Sequence, residues 1–481
     1  MRDRATPTQP LLNSGRGRTG YAWMISLIAA LAGLLFGYDF VVIGGAKPFF
    51  ERYFQLHTDM LSGWANSCAL LGCLIGALGG GGLSDQFGRK KMLIAAALLF
   101  AVSSVLTGWA QTFTWFVIWR ISGGVAIGMT SNVAPVYIAE IAPAPLRGRF
   151  VSIYQLTIFI GVAGAQFINW RIAEKMPAWV ENMAEPAREA FLLQSWNVLY
   201  GWRWMFTAVA VPSAVFFLLA LLLPESPRWL VKNGMARRAI NVLKSTLGAT
   251  HAETALQDIR QTIAAEEIQR VRFADLLEPK MRKILALGVF LAVLQQWSGL
   301  NVIFQYAEEV YSHAGYQLND ILFNIVVTGT TCLVVNCIAI ATVDRFGRRV
   351  LMLTGCAGIA CCHALLGVGY LLAVPGIFIL ILSLMAMGFY GMSLAPIAWV
   401  LISEIFPNRI RGAAVAVAAG SLWIACFILI FTFPYLKDLL TISGAVWLYG
   451  AICLVGFLVV FRYVPETKGK TLEQIERELV D

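Results

Sequence analysis

Apolar and polar positions in this chain alternate in long blocks, not in the short periods of a soluble fold. From residue 22 onward, largely uncharged runs of about twenty residues recur, and a helix of that length crosses a hydrocarbon core of about 30 Å. Twelve runs are read, at 22–45, 61–84, 91–111, 113–134, 150–172, 203–223, 284–312, 321–342, 350–373, 376–404, 410–435 and 443–463. One long stretch breaks the pattern: 224–283 loses the apolar runs and carries Arg237, Arg238, Lys244, Asp258, Glu266 and Glu267. Within it, 236–246 and 252–270 mix apolar and charged positions at helical spacing, which predicts short amphipathic helices lying against a membrane face. The chain therefore divides into a tail (1–21), a six-span block (22–223), a linker (224–283), a second six-span block (284–463) and a tail (464–481). The expected fold is all-α and integral to a membrane, with twelve transmembrane helices in two six-helix bundles.

Composition agrees with that pattern. Of 481 residues, 58% are hydrophobic and only 14% charged, and the mean hydropathy of +0.69 excludes an ordinary soluble domain. An even number of spans puts both termini on one side. Arg89, Lys90, Lys91, Arg147, Arg149, Arg345, Arg348, Arg349, Arg409 and Arg411 fall in loops on that same side, which the positive-inside rule makes cytoplasmic. Orientation thus accounts for the net charge of +9, and nucleic acid is not an expected partner. The first twenty residues carry Arg2, Arg4, Arg16 and Arg18 without the apolar core of a signal peptide, and read as a cytoplasmic tail. Nine cysteines (Cys68, Cys73, Cys332, Cys337, Cys356, Cys361, Cys362, Cys426 and Cys453) show no metal-ligand spacing and read as small buried hydrophobes. His57, His251, His313 and His363 stand isolated, and no nucleophile, metal cluster or pair of catalytic acids emerges. Neither an enzyme nor a cofactor is expected.

The two blocks carry matching marks. Asp85-Gln86-Phe87-Gly88-Arg89 follows span two, and Asp344-Arg345-Phe346-Gly347-Arg348 follows span eight. Glu140, Arg147 and Arg149 follow span four, and Glu404, Arg409 and Arg411 follow span ten; Glu225 and Arg228 follow span six, and Glu466 follows span twelve. Three motif pairs at equivalent places imply an internal duplication, the construction of many transporters, whose substrate site lies between the repeats and whose access alternates as one half rocks on the other. Ion pairs among these charges across the two halves would close the cytoplasmic side, each contributing about 0.2–1 kcal/mol when exposed. A few would bias a two-state equilibrium without locking it. The alternative is that the charges set topology alone.

These motifs resemble those of the sugar porter family of the major facilitator superfamily, over nearly the whole chain from about residue 22 to 480. The resemblance implies two pseudo-symmetric six-helix bundles and a substrate among monosaccharides, polyols and similar hydroxylated solutes. It also implies a monomer, and the compact tails and cytoplasmic arginines fit a bacterial inner membrane. Two positions depart from the family pattern: Gln86 stands where arginine is frequent, and Ile340 where a glycine is expected. A nutrient sensor on the same scaffold would carry a longer cytoplasmic tail.

An ionisable side chain inside a span costs several kcal/mol unless paired or hydrated, so it is a functional candidate. Two such groups stand out, Asp39 in span one and Arg120 near the start of span four. An aspartate beside an arginine is charged when the site is dry and can take a proton when its partner moves or water reaches it. In the proton-coupled members of the family an aspartate and an arginine occupy the matching positions. The resemblance therefore implies proton symport, with a facilitative uniporter holding a static Asp39–Arg120 pair as the alternative, and a carrier of some non-sugar solute as another.

A sugar presents hydroxyls that both donate and accept, so its site calls for amide side chains and an aromatic wall. Span seven offers Gln295-Gln296-Trp297-Ser298-Gly299-Leu300-Asn301, where the Ser298-Gly299 step should loosen the helix. Gln155, Trp399 and Trp423 complete a ring drawn from both halves. The resemblance places Gln155, Gln295, Gln296, Asn301, Trp399 and Trp423 at sugar-contacting or cavity-lining positions. Val162, Gln305, Gly391, Leu394 and Leu422 differ from the residues of other sugar carriers, and a lost hydrogen bond in a dry site costs about 1–3 kcal/mol, enough to change the preferred sugar. Glu308 and Glu309 read as two solvated charges at the periplasmic end of span seven.

Overall fold

A computed structural model describes residues 16–143, 146–177, 179–180, 183–268, 278–407, 410–468, 470 and 474, without the side chains of 16–19, 185, 250, 265–268, 280, 341–345, 403 and 411. The first half contains α1 (Arg16–Phe54), α2 (Asp59–Phe87), α3 (Arg89–Gly108), α4 (Phe113–Ile141) and α5 (Arg147–Ile172). A short α6 (Glu185–Gln194) follows, and a π-helical turn at Asn197–Gly201 leads into α7 (Trp202–Thr207) and α8 (Ala210–Ala220). The sixth span therefore begins earlier than its apolar run at 203. Helices start where a hydroxyl can take an orphan amide: Thr58 accepts from Leu61 N at 3.3 Å and Thr112 from Trp115 N at 3.5 Å.

The linker holds α9 (Pro227–Lys232), α10 (Ala236–Thr246) and α11 (Ala249–Ile268). The amphipathic spacing had marked the last two. Trp229 Nε1 donates to the Asp85 carbonyl at 2.8 Å and Lys232 pairs with the Asp85 carboxylate at 3.1 Å, so α9 is docked on the end of α2.

In the second half, the span expected at 284–312, with its helix loosened at Ser298-Gly299, is three helices: α12 (Pro279–Trp297), α13 (Leu300–Gln305) and α14 (Ala307–Ser312). They are separated by Gly299 in the left-handed region (φ 82°) and by Tyr306. After α15 (Leu318–Phe346) and α16 (Arg348–Leu371), the span expected at 376–404 is likewise interrupted at Ser393, between α17 (Gly376–Met392) and α18 (Leu394–Ile405). The last element, α19 (Arg411–Tyr463), covers two spans with a non-helical residue at Thr441 (φ 63°). Trp297 Nε1 donates to the Ala425 carbonyl at 2.9 Å, while the neighbouring Ser298 carbonyl lies 4.0 Å from Cys453 Sγ. A straight helix would hold Ala425 and Cys453 about 40 Å apart, so the chain doubles back at Thr441. Among the described residues eleven stretches are long and apolar enough to cross a membrane, and this one, 52 residues long, supplies two crossings and so the twelfth.

Small residues let the helices approach closely, as in other membrane bundles. A Cβ at Gly124 of α4 would lie 1.9 Å from the Ala69 carbonyl of α2, and one at Gly37 of α1 would lie 1.9 Å from the Ile158 carbonyl of α5. The outer surface is apolar, with Val211, Leu218 and Leu222 among its most exposed side chains. Seven of the nine cysteines are buried as expected, but Cys337 and Cys361 are exposed.

Candidate functional site

Asp39 and Arg120 meet inside the first half. Arg120 Nη1 donates to both Asp39 oxygens, at 3.1 and 3.2 Å, and both residues are buried, at 4% and 3% exposure. The guanidinium also lies over the Phe206 ring, 5.3 Å from its centroid. Arg120 Nε has no hydrogen-bond partner among the described residues. Gly123 packs beside the pair: a Cβ there would lie 3.1 Å from Ser103 Oγ and in ordinary contact, at 3.7 Å, with Asp39 Oδ2.

The amide row of span seven forms one hydrogen-bonded chain across the helix break. Asn301 donates to Gln296, Gln296 donates to Gln295, and Gln295 Nε2 donates to the Tyr390 hydroxyl of α17 at 3.0 Å. All four are buried. Amides joined head to tail are held in fixed rotamers while keeping further donors and acceptors free for a polyhydroxylated ligand. Trp423, 4% exposed, contacts Phe36 of α1 with ring centroids 5.8 Å apart, a contact between the two halves. Two expected members fall outside this buried set. Trp399 is 38% exposed and Gln155 half-buried, and neither has a described hydrogen bond to the row.

Tyr390 escaped the sequence reading because a tyrosine in an apolar run carries no spacing signal. His363 is 2% exposed and its Nε2 lies 2.8 Å from the Ser298 carbonyl at the break, a backbone contact that its lone place in the sequence does not signal.

The paired motifs build two similar clusters at one end of the bundle. In the first half, Glu225 accepts from Arg89 N at 2.9 Å and Lys90 N at 3.2 Å, so it caps the start of α3. In the second, Glu466 accepts from Arg348 N at 2.9 Å and Arg349 N at 3.1 Å, capping α16. Arg89 reaches Glu140 at 3.2 Å and Asp85 at 2.8 Å; Arg348 reaches Glu404 at 3.8 Å. These pairs each join motifs within one half, whereas pairs across the halves are the expectation for the state in which the cytoplasmic side is closed. Arg147 and Arg149 are exposed at the start of α5, and Arg228 lies in the first turn of α9. The side chains of Asp344, Arg345 and Arg411, and residue Arg409 altogether, lie outside the described residues.

The two halves are tied at the opposite end. Lys47 of α1, 3% exposed, pairs with Glu309 of α14 in the other half and with Glu51 of its own helix at 2.9 Å. Nearby, Arg52 lies 3.9 Å from Glu308, Gln305 Nε2 donates to the Phe40 carbonyl at 3.0 Å, and Asn319 Nδ2 donates to the Met176 carbonyl at 3.0 Å. Glu309 is thus a half-buried partner of Lys47, not the solvated charge expected from its place at a helix end. Lys47 stood two residues beyond the first apolar run and was not flagged. Lys47, Glu51, Arg52, Glu308 and Glu309 line a cavity of about 520 Å³.

Comparison with known proteins agrees with this geometry. A family model described as "Sugar (and other) transporter" matches residues 25–479. The chain is 36% identical to the glucose transport protein of Synechocystis sp., over 99% of this chain and 100% of that one. It is 35% identical to the D-xylose-proton symporter of Escherichia coli K12 (95% and 96% covered) and 35% identical to the arabinose-proton symporter of Bacillus subtilis (99% of each). Among solved structures, the inward-open xylose transporter of Escherichia coli superposes with a TM-score of 0.82 at 34% identity, covering 95% of this chain and 100% of that one. With twelve crossings, duplicated motif clusters and this likeness along nearly its full length, the chain belongs to the sugar porter family of the major facilitator superfamily.

Proposed function

We infer that this protein carries a monosaccharide or polyol together with a proton by alternating access, with Asp39 as the proton site and the row Gln295, Gln296 and Asn301 as the core of the sugar site. The observation that carries this reading is the buried Asp39–Arg120 pair. A buried pair with no other cation on the carboxylate among the described residues is a charge the cycle can switch, because Asp39 becomes able to bind a proton when Arg120 moves away or water enters. Three relatives are named proton symporters of D-xylose, arabinose and galactose, which supports the coupling and the substrate class.

The motif end is read as cytoplasmic from its arginines, and the carrier as a monomer in a bacterial inner membrane. On that reading the ties at Lys47, Gln305 and Asn319 close the periplasmic side, so the arrangement is inward-facing. The motif clusters then act within each half as rigid corners that move as units, with Glu140, Glu225, Glu404 and Glu466 holding the arginines in place.

The test is uptake into proteoliposomes of a panel containing D-xylose, D-glucose, L-arabinose, D-galactose and myo-inositol, with and without an inward proton gradient. Wild type should concentrate at least one of these only with the gradient. Asp39→Asn should abolish accumulation while preserving equilibrium exchange of the same sugar. Gradient-independent uptake that Asp39→Asn leaves unchanged would instead assign uniport, with the pair as a structural link.

A further inference from the structure

The seventh span breaks between the residues that recognise the sugar, and a buried carbonyl is stranded at the break. In a continuous helix the Ser298 carbonyl would accept from Val302 N. Here Val302 N donates to the Gly299 carbonyl at 3.1 Å, because Gly299 turns left-handed at φ 82°. Ser298 itself is fully buried. A buried carbonyl without a partner is costly, so something must satisfy it.

His363 does so from α16. Its Nε2 sits 2.8 Å from the Ser298 oxygen, and because a carbonyl can only accept, Nε2 must carry the hydrogen. Nδ1 has no described partner. The Cys453 thiol of α19 reaches the same oxygen at 4.0 Å, a far weaker contact. The surroundings are built to admit the imidazole behind the break: a Cβ at Gly450 would come within 3.1 Å of His363 Cβ, and the Tyr449 ring fills the space a side chain at Gly299 would need, 2.6 Å from its Cβ. Three helices thus converge on one backbone oxygen. Gln296 precedes the break and Asn301 follows it, and the two are hydrogen-bonded across it.

We propose that His363 is a positioning residue for sugar recognition: by holding the Ser298 carbonyl it fixes the angle between α12 and α13, and so the register of Asn301 against Gln295 and Gln296. The inference rests on the reading that those three amides bind the sugar. It assigns His363 no contact with the ligand. Its loss should therefore act on affinity through the geometry of the row, while leaving the conformational cycle of the loaded carrier largely intact.

The experiment uses the full-length carrier in detergent and proteoliposomes, with the sugar from D-xylose, D-glucose, L-arabinose and D-galactose that wild type binds most tightly. Four variants are compared: His363→Leu, His363→Gln, His363→Asn and Asn301→Ala. Glutamine can present its amide nitrogen where Nε2 lies, whereas asparagine is one carbon too short. His363→Leu and His363→Asn should weaken sugar binding by about tenfold, with the exchange rate at saturating sugar within about twofold of wild type, and His363→Gln should restore most of the affinity. Should His363→Leu fail to purify as a monodisperse protein, the contrast between His363→Gln and His363→Asn carries the same decision. Wild-type affinity in His363→Leu or His363→Asn, or a His363→Gln variant as weak as His363→Asn, overturns the proposal if Asn301→Ala is still impaired. Unchanged affinity in Asn301→Ala overturns the site reading itself, and the positioning role falls with it.

Discussion

Gln295 spends one amide hydrogen on the Tyr390 hydroxyl at 3.0 Å, which leaves its orientation dependent on a residue in another helix. A neutral hydrogen bond of this kind contributes about 1 kcal/mol net. Tyr390→Phe removes the hydroxyl with little change in packing, so it should weaken sugar affinity about fivefold without lowering expression, as read by equilibrium binding. Gly299 allows a sharper test. A side chain there would be strained by the left-handed backbone, by about 1–2 kcal/mol, and would also meet the Tyr449 ring at 2.6 Å. Gly299→Ala should abolish sugar binding and lower the thermal midpoint, whereas Gly164→Ala, with nothing within 4 Å of its Cβ, should do neither.

Two helices, α3 and α16, begin in the same way, with a glycine at positive φ (Gly88 at 99°, Gly347 at 88°) followed by amides that donate to one glutamate. The glycines have no substitute, because a Cβ would come within 2.3 Å of the Glu225 carboxylate in one case and 2.6 Å of the Glu466 carboxylate in the other. A carboxylate at a helix start satisfies orphan amides and faces the positive end of the dipole. Burial works to raise the Glu466 carboxyl, but donations from the backbone of Lys468, Arg348, Arg349 and Thr467 outweigh it and hold it below its usual range. A carboxyl held low in the folded state binds fewer protons than in the unfolded chain. Its contribution is therefore full above the ordinary glutamate range, about 4.3, and is lost as pH falls through the lowered value. The thermal midpoint of Glu466→Gln should lie a few degrees below wild type at pH 7, and the gap should close on acidification below pH about 4. A gap that widens in acid would contradict the capping role.

At the scale of the whole molecule, Lys47 is the charge that ties one half to the other. It is buried against Glu51 of its own helix and Glu309 across the interface. Removing one member of a buried ion pair costs about 3–5 kcal/mol, and here that cost falls only on the state in which this end is closed. Lys47→Met should shift the population at least tenfold toward opening at this end. Spin labels at Gln55 and Ser312, on opposite halves around the same cavity, would report it as a longer distance. Cys337 and Cys361 are exposed and would first be replaced. The exchanged pair Lys47→Glu with Glu309→Lys should bring the distance back toward wild type, which a merely destabilised fold would not do.

Apolar run length was sufficient by itself to determine the twelve crossings, because a bilayer leaves a hydrophobic segment of about twenty residues few alternatives to a helix, and amphipathic spacing marked α10 and α11 between the two sets of spans. Motif duplication likewise identified Arg89, Glu140, Glu225, Arg348, Glu404 and Glu466, and a charge inside a span singled out Asp39 and Arg120. In each of these cases the signal is local. Partner choice is not local, and the tertiary structure alone decided it. The motif charges pair within each half, and Glu309 finds Lys47, which lies 262 positions away in sequence. Tyr390 and His363 acquire roles only because α17 and α16 pack against the broken span, and a tyrosine or a lone histidine in an apolar run looks the same whether it meets lipid or a stranded carbonyl. The interruption at Ser393 was hidden for a related reason, whereas the Ser298-Gly299 step and the gap between the runs 410–435 and 443–463 had marked those at Gly299 and Thr441. Hydropathy measures transfer into the membrane, whereas the cost of a broken helix depends on whether a neighbour satisfies the freed backbone.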